Sequence, residues 1–230
     1  MNIDVIIPLL NEENNIQKCL EHLVDQHEIK TIVVVDGGSH DASVRMAESY
    51  SKVKVVSSPR GRAKQLNEGI KHCENEVLWF VHADARVPKQ GGKMIVDCLR
   101  KNPSCVGGAF RIQTIPEENV RSWVNPILAL TNFRSLYTRY PYGDQAIFAR
   151  KTAMDHIQGF PDQSMFEDYE VSKRLWTLGS LQIFSQRVRV SGRRVQQRPF
   201  FSFFLFHTFP LLYRMGVSPD QLSRWYKHIR

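Results

Sequence analysis

Cysteine is scarce in this 230-residue chain, and its four copies, Cys19, Cys73, Cys98 and Cys105, are scattered. None forms a C-x-x-C pair and no Cys/His group has zinc spacing, so the four read as buried free thiols. Long apolar runs are also missing. The most apolar stretch, from Pro199 to Tyr213, is shorter than the roughly 20 residues of a bilayer span and is broken by His207 and Pro210. At the start, Asn2 to Pro8 shows no basic region followed by an apolar stretch and cleavage site, so a reduced, cytoplasmic setting is expected. There is no internal repeat, and no Gly-, Pro- or Ser-rich linker that would split two domains. Acids are outnumbered, 23 against 31 lysines and arginines, for a net charge of +8. Arg187, Arg189, Arg193, Arg194 and Arg198 lie in one stretch without any acid. Such an excess suits phosphorylated substrates, anionic membranes or nucleic acid; no recognisable nucleic-acid-binding motif is present, so a nucleic-acid partner is not expected.

What is present is ordered. Short apolar runs rich in β-branched residues span Val5 to Leu10, Thr31 to Val35, Val53 to Val56 and Val77 to Val81. Each fits a strand buried on both faces. Between them lie helical spacings: Ile16, Cys19, Leu20, Leu23 and Val24; Ala42 to Tyr50; Ala63, Leu66 and Ile70; Met94 to Leu99. Strands alternating with helices predict an α/β fold with a mostly parallel central sheet flanked by helices. From residue 104 the pattern loosens. Strands are expected at Cys105 to Ile112, Asp144 to Arg150, Leu181 to Phe184 and Val188 to Val190, with a helix at Met165 to Leu178 and partial helix in Glu117 to Tyr140. Residues 1–198 then form the main domain, with a nucleotide-binding half (1–103) and an acceptor half (104–198). Residues 199–230 follow as a separate segment, with five phenylalanines between Pro199 and Thr208. That segment reads as a helix in a membrane interface beside the arginine cluster, or as a helix covering the sheet or a dimer contact.

In a parallel open sheet, ligands bind beyond the carboxyl ends of the strands. Every predicted strand end here is polar. Asn11-Glu12-Glu13, Asp36-Gly37-Gly38-Ser39-His40-Asp41, Arg60-Gly61-Arg62 and His82-Ala83-Asp84-Ala85-Arg86 follow the first four strands. Asp36 suits a ribose or base, and Gly37 lets backbone approach a ligand closely. Ser39 or Asp41 equally suits a plain helix cap. Arg60 and Arg62 suit a diphosphate. Asp84 suits Mg²⁺ or Mn²⁺, hard cations that bridge substrate phosphates; His82 orients that loop. Downstream, Glu167, Asp168 and Glu170 open a helix, where its dipole alone favours acids, yet one of them also suits a general base. Gly143, Asp144 and Gln145 are placed on the acceptor side.

Taken together, Ile6 to Ile16, Val35 to Asp41 and Glu167-Asp168 resemble the inverting family 2 glycosyltransferases of GT-A fold. The narrower strings Gly61-Arg62-Ala63-Lys64-Gln65-Leu66-Asn67, Phe80 to Asp84, Gly143 to Phe148 and Gly159-Phe160-Pro161-Asp162 are similar to a small bacterial subfamily associated with radical-SAM proteins. The resemblance implies that Pro8, Glu12 and Asp36 hold a nucleoside, uridine by preference. It makes Asp84 the metal-binding acid of a D-x-D element and Asp168 the base, with Glu167 beside it. Arg86 departs from that pattern, standing where a second acid belongs, so the metal is conditional. Arg193 and Arg194 are expected to assist at the leaving diphosphate. The function expected is transfer from a nucleotide-diphospho-sugar to a hydroxyl acceptor, in association with lipid or the inner face of the membrane. A sugar nucleotidyltransferase is the alternative, but Leu10-Asn11-Glu12-Glu13 is not the Gly-rich basic loop that would begin one. A non-catalytic, basic membrane-binding protein on a degenerate scaffold is the other; the acids retained at the strand ends speak against it. Gln221-Leu222-Ser223-Arg224-Trp225 also matches the Q-x-x-R-W string of processive synthases, and is read as coincidence.

Overall fold

The computed structural model describes residues 1–116, 139–197 and 199–228, with isolated positions 126, 128, 130 and 132. Its strands are β1 (Ile3–Leu9), β2 (Ile29–Asp36), β3 (Val53–Ser57), β4 (Val77–Phe80), β5 (Ala85–Arg86), β6 (Cys105–Ile115), β7 (Phe148–Arg150) and β8 (Ser180–Ser191). Its helices are α1 (Ile16–Leu20), α2 (Ser43–Glu48), α3 (Arg62–Lys71), α4 (Gly91–Lys101), α5 (Lys151–His156), α6 (Glu167–Leu178), α7 (Arg193–Gln197), α8 (Pro199–Arg214) and α9 (Pro219–His228). They build one sheet of order β3-β2-β1-β4-β7-β6-β8-β5.

The first four strands are mutually parallel. Their pleat sends alternate residues to opposite faces. Val5 and Ile7 meet Ile32 and Val34 on one face, under Ile16, Ala47 and Ile95 from α1, α2 and α4. Ile6 meets Val33 and Val35 on the other, against Leu66, Met154 and Val171 from α3, α5 and α6. Both faces of β1, β2 and β4 are covered, which is why they read as apolar runs, whereas β3, at the sheet edge, is only partly buried and exposes Lys54. In the second half, β7 runs antiparallel between β4 and β6, β8 is parallel to β6, and β5 is antiparallel to β8.

Two expectations are corrected here. Asp144 to Arg150 is not one strand: Gly143–Gln145 is a tight 3-10 turn, Ala146 has a left-handed φ of +49°, and only Phe148–Arg150 pairs in the sheet. The Gln145 amide explains the turn, since it donates to the Phe110 carbonyl and accepts the Tyr142 N–H. Leu181 to Phe184 and Val188 to Val190 are a single strand. Register jumps there from Phe110↔Phe184 to Arg111↔Arg187, so Ser185 and Gln186 bulge. These polar residues made the sequence look interrupted. The helix expected from Met165 starts at Glu167. All four cysteines are buried free thiols. Most of the segment Glu117 to Tyr140 lies outside the described residues.

Gly107 and Gly108 let β6 sit between its neighbours. A Cβ on Gly107 would lie 2.5 Å from the Phe148 carbonyl oxygen, and one on Gly108 would collide with the Gln182 carbonyl. Both obstacles are backbone and cannot rotate away. Gly108→Ala should therefore cost about 2–3 kcal/mol of stability, read as a lower urea midpoint; an unchanged midpoint would mean that β6 and β8 separate freely.

After Arg193–Gln197, α8 and α9 fold back on the domain. Leu205, Phe209 and Leu222 are buried, packed against Met165, Phe166 and Tyr213. The opposite side leaves Phe204 (58%), Leu211 (56%), Met215 (81%) and Trp225 (43%) exposed. Among the described residues no helix is long and apolar enough to cross a membrane.

Candidate active site

Parallel pairing brings the ends of β1, β2, β3 and β4 to one edge: Leu9 pairs with Asp36, and Asp36 with Ser57. The loops after β1 and β2 are stitched together there. Asn11, at φ +52°, donates its N–H to Ser39 Oγ (3.0 Å) and accepts the His40 N–H (2.9 Å). Asn tolerates this left-handed conformation better than most residues. The Glu12 N–H donates to Ser43 Oγ at 2.7 Å. Asp41 accepts the N–H groups of Ser43 and Glu13 and so ties the two loops together, but the N-cap of α2 is Ala42, without a side-chain cap, so the capping role weighed for Asp41 is not what is found. Asp36 accepts the N–H groups of Gly38 and Ser39, rigidifying its own turn.

Gln65 was not singled out from the sequence, yet it fixes this edge. Buried under Gly37, its amide donates to the carbonyls of Leu9 and Val35, both at 2.8 Å. Asn67 does comparable work: its amide exchanges two 2.8 Å hydrogen bonds with the Phe160 backbone, beside Gly159 at φ +73°. Two of the narrow sequence strings thus meet as one packing contact.

A cavity of about 340 Å³ opens beside this edge. Its charged lining is Arg62, His82, Asp84, Asp144, Glu167 and Asp168. Five of these were expected from the sequence as site residues and the sixth, His82, as their neighbour. Pro8 and Asp36 lie at the ends of β1 and β2, Glu12, Gly37 and Arg60 belong to the loops that follow the strands, and Arg193 starts α7; all six are outside that lining. Glu12 accepts from Asn15 Nδ2 at 2.7 Å and pairs with the Arg193 guanidinium, tying α7 to the end of β1. Arg60 is exposed, and the Arg194 side chain lies outside what is described. Part of the apolar lining, Leu205, Phe209, Pro210 and Tyr226, comes from α8 and α9 and had no signal in the sequence beyond general hydrophobicity; Ile112, Met165, Phe166, Val190 and Val195 supply the rest from other elements.

Arg62, the first residue of α3, is the centre of the charged group. It lies 2.6 Å from Glu167 Oε1 through Nε, a close ion pair whose N–H is not aligned on the carboxylate. Its terminal nitrogen donates to Asp168 Oδ2 at 2.6 Å. Asp168 also accepts the Gly143 N–H (2.6 Å) and the Tyr169 N–H (2.7 Å). Gly143 has to be glycine here: a Cβ would strike Arg62 and lie 3.0 Å from both Asp168 Oδ2 and His82 Nε2. Phe166, at φ +64°, turns the chain so that Glu167 and Asp168 both enter the cavity wall.

The two carboxyls are pushed apart. Burial, with Asp168 beside it, raises Glu167 above the usual glutamate range despite Arg62. Burial acts upward on Asp168 too, but Arg62 and the Gly143 and Tyr169 N–H groups outweigh it and hold Asp168 below the aspartate range. Burial alone would loosen the Arg62 proton; Glu167, Asp168 and Asp144 reverse that and keep the guanidinium charged. One carboxylate is thus kept ionised beside a second that protonates more easily, an arrangement suited to proton transfer.

A divalent cation would find one carboxylate at the expected place, Asp84. Arg86 sits in β5 opposite Arg189 and is not part of the cavity lining. Among the described residues no three His, Cys, Asp or Glu side chains are grouped to hold a metal ion. Mg²⁺ and Mn²⁺ commonly bind through one or two carboxylates plus substrate phosphates. Asp84 therefore fits a cation that arrives with a diphosphate, and does not fit one resident in the free protein.

The TarS fragment of S. aureus bound to UDP-GlcNAc superposes with a TM-score of 0.66 at 21% identity, covering 83% of this chain and 58% of its own. The mannosyltransferase PcManGT of Pyrobaculum calidifontis, solved with GDP-Man and Mn²⁺, gives 0.65 at 19% identity, covering 97% and 67%. The fold is that of the GT-A transferases. The probable glycosyltransferase YdaM of Bacillus subtilis is 24% identical over 197 residues, covering 77% of this chain and 47% of YdaM. Glycosyltransferase AglE of Haloferax volcanii is 31% identical over 97 residues, covering 38% and 32%. The chain thus spans about a third to a half of the length of these two relatives. Residues 4–157, more than half of the chain, match the sequence profile described as Glycosyl transferase family 2, and to that family the chain belongs.

Proposed function

We propose that the protein transfers a sugar, with inversion, from a nucleotide-diphospho-sugar to a hydroxyl acceptor. The observation that carries this reading is the Arg62-Glu167-Asp168 group facing a cavity at the strand ends. The donor is taken to be UDP-linked, with support from the UDP and UDP-GlcNAc complexes of TarS. Pro8, Glu12, Asp36 and Gly37 then hold the nucleoside, while Arg60, Arg62, Arg193 and Arg194 serve the diphosphate. The nucleotide-binding half is residues 1–103 and the acceptor half 104–198, with Gly143, Asp144 and Gln145 framing the acceptor.

In this reading, the acceptor oxygen attacks the anomeric carbon as Asp168 takes its proton. The bond from that carbon to the diphosphate oxygen breaks, and its electron pair leaves with the nucleotide. Arg62 serves both ends of the reaction. In the free protein its charge holds Asp168 ionised but weakly basic. An entering diphosphate competes for that guanidinium, and as Arg62 turns to the phosphate, Asp168 loses a depressing charge and becomes a stronger base. A divalent cation at Asp84 supplies charge stabilisation for the leaving diphosphate.

The test is donor hydrolysis: purified protein with Mn²⁺ should release UDP slowly from UDP-GlcNAc or UDP-glucose without an acceptor. No release from any nucleotide-sugar, with or without metal, would end the transferase reading.

The exposed apolar side of α8 and α9, flanked by the exposed Arg214 and Arg224, supports peripheral binding to an anionic bilayer. The protein should float with phosphatidylserine-containing liposomes, and Phe204→Ser with Leu211→Ser should reduce the floated fraction several-fold. Equal flotation of the variant would sink the idea.

A further inference from the structure

The cavity is chemically two-sided. Its acids come from the β4–β5 turn, the 3-10 turn and the start of α6, whereas Leu205, Phe209 and Pro210 of α8 and Tyr226 of α9 add an apolar wall. This wall lies outside the part of the chain matched to the family, which ends at residue 157. It is built by the C-terminal helices α8 and α9. Leu205 and Phe209 are held firmly, at 7% and 6% exposure, within a cluster that includes Phe166, the residue immediately before Glu167. Phe204 and Leu211 of α8, Met215 just after it and Trp225 of α9 are exposed.

Leu205, Phe209 and Pro210 offer no side-chain hydrogen-bond partner, so sugar hydroxyls seated on them would lose water without replacement, although Thr114, Ser164, Ser191 and Tyr226 put hydroxyls into the same lining. An apolar chain or ring would instead gain by burial. We propose that the acceptor is amphipathic: a hydroxyl-bearing head group joined to an apolar chain and taken from a bilayer surface. The head group lies at Asp168 and the first part of the chain lies along Leu205, Phe209 and Tyr226. This inference rests on the transferase reading and names its acceptor class. The outer apolar side of α8 and α9 places the cavity at the bilayer, so one pair of helices meets the membrane outside and the acceptor inside.

The experiment uses the full chain, UDP-GlcNAc or UDP-glucose with Mn²⁺, and a series of alkyl β-glucosides from methyl to octyl below their micelle concentrations. Transfer should rise with chain length, with kcat/KM at least about tenfold higher for octyl than for methyl. Phe209→Ser should flatten that dependence while UDP binding stays unchanged by calorimetry, and Phe209→Leu should restore it. Transfer independent of chain length, or better to free glucose than to the octyl glucoside, would overturn the inference. So would an unchanged chain-length dependence in a folded Phe209→Ser protein. UDP binding separates the two failures: bound UDP with chain-length-independent transfer removes only the amphipathic acceptor, whereas absent UDP binding removes the transferase reading beneath it.

Discussion

Asp168→Asn should lower the rate of sugar transfer by about 10³-fold or more while leaving donor affinity nearly unchanged. The reasons lie in what each Asp168 oxygen touches. Oδ2 accepts from Arg62 and from the Gly143 N–H, and Oδ1 accepts from the Tyr169 N–H. An asparagine keeps the shape but cannot take the acceptor proton. Its NH₂ group would also face one of these donors, so the amide is held in the orientation that leaves its oxygen on Gly143. In the proposed reading the nucleotide is held by residues elsewhere, at the ends of β1 and β2, so the affinity for UDP should survive. The loss belongs in kcat. A variant with normal kcat and weakened donor binding would make Asp168 a donor contact rather than the base. Glu167→Gln should cost less, because Glu167 reaches Arg62 through one misaligned contact and its carboxyl is the one that protonates more readily.

Arg62→Met should damage both stability and donor binding. Removing the guanidinium leaves Glu167 and Asp168 side by side, both buried, without the cation that balances them. Losing one partner of a buried pair costs about 3–5 kcal/mol; because 38% of the Arg62 side chain is exposed, solvent screening reduces this to about 2–3 kcal/mol. The loss should depend on pH with a defined sign. The folded pKa of Asp168 is depressed, so its ionisation stabilises the fold above the ordinary aspartate value and that contribution disappears as pH falls through the folded value. Without Arg62 the depression shrinks, so the variant should gain on the parent as pH falls below about 4. Thermal melts across that range measure it; a constant difference would mean that Arg62 acts through packing alone. Arg62→Lys should not rescue, since one ammonium does not span two carboxylates as a guanidinium does. Arg62→Met combined with Glu167→Gln should recover part of the lost stability, because the second change removes one of the uncompensated charges.

How much of this was legible beforehand follows from the range of each interaction. β1, β2 and β4 were readable because burial on both faces leaves short apolar runs; β3, at the edge, was readable from its β-branched valines. The strand-end polarity was readable because parallel topology puts all those ends on one edge, so Asp84 and Arg62 reach the same cavity across some twenty residues of sequence. Asp168 and Glu167 stood out as acids at a helix start. What was hidden is non-local. That Arg62 pairs with residues more than a hundred positions away, that Gln65 pins two strand ends and that Asn67 holds the Phe160 turn are tertiary facts without a local pattern. The 3-10 turn at Gly143–Gln145 was taken for strand because its residues continue directly into β7, and the decisive bond, Gln145 to the Phe110 carbonyl, lies in another strand. The C-terminal helices were legible as apolar but not as a cavity wall, since their buried and exposed sides divide only once Phe166 and Tyr213 stack at 4.8 Å.

The most direct measurement is a calorimetric titration of UDP, and separately of Mn²⁺, into the purified protein. UDP with Mn²⁺ should bind saturably at one site, Mn²⁺ alone should give no comparable heat, and Asp84→Asn should weaken the joint binding at least about tenfold. A protein that binds Mn²⁺ tightly without nucleotide would contradict the single-carboxylate site at Asp84. One that binds neither UDP nor any other nucleotide diphosphate, with or without the cation, would contradict the reading of the strand-end cavity as a donor site.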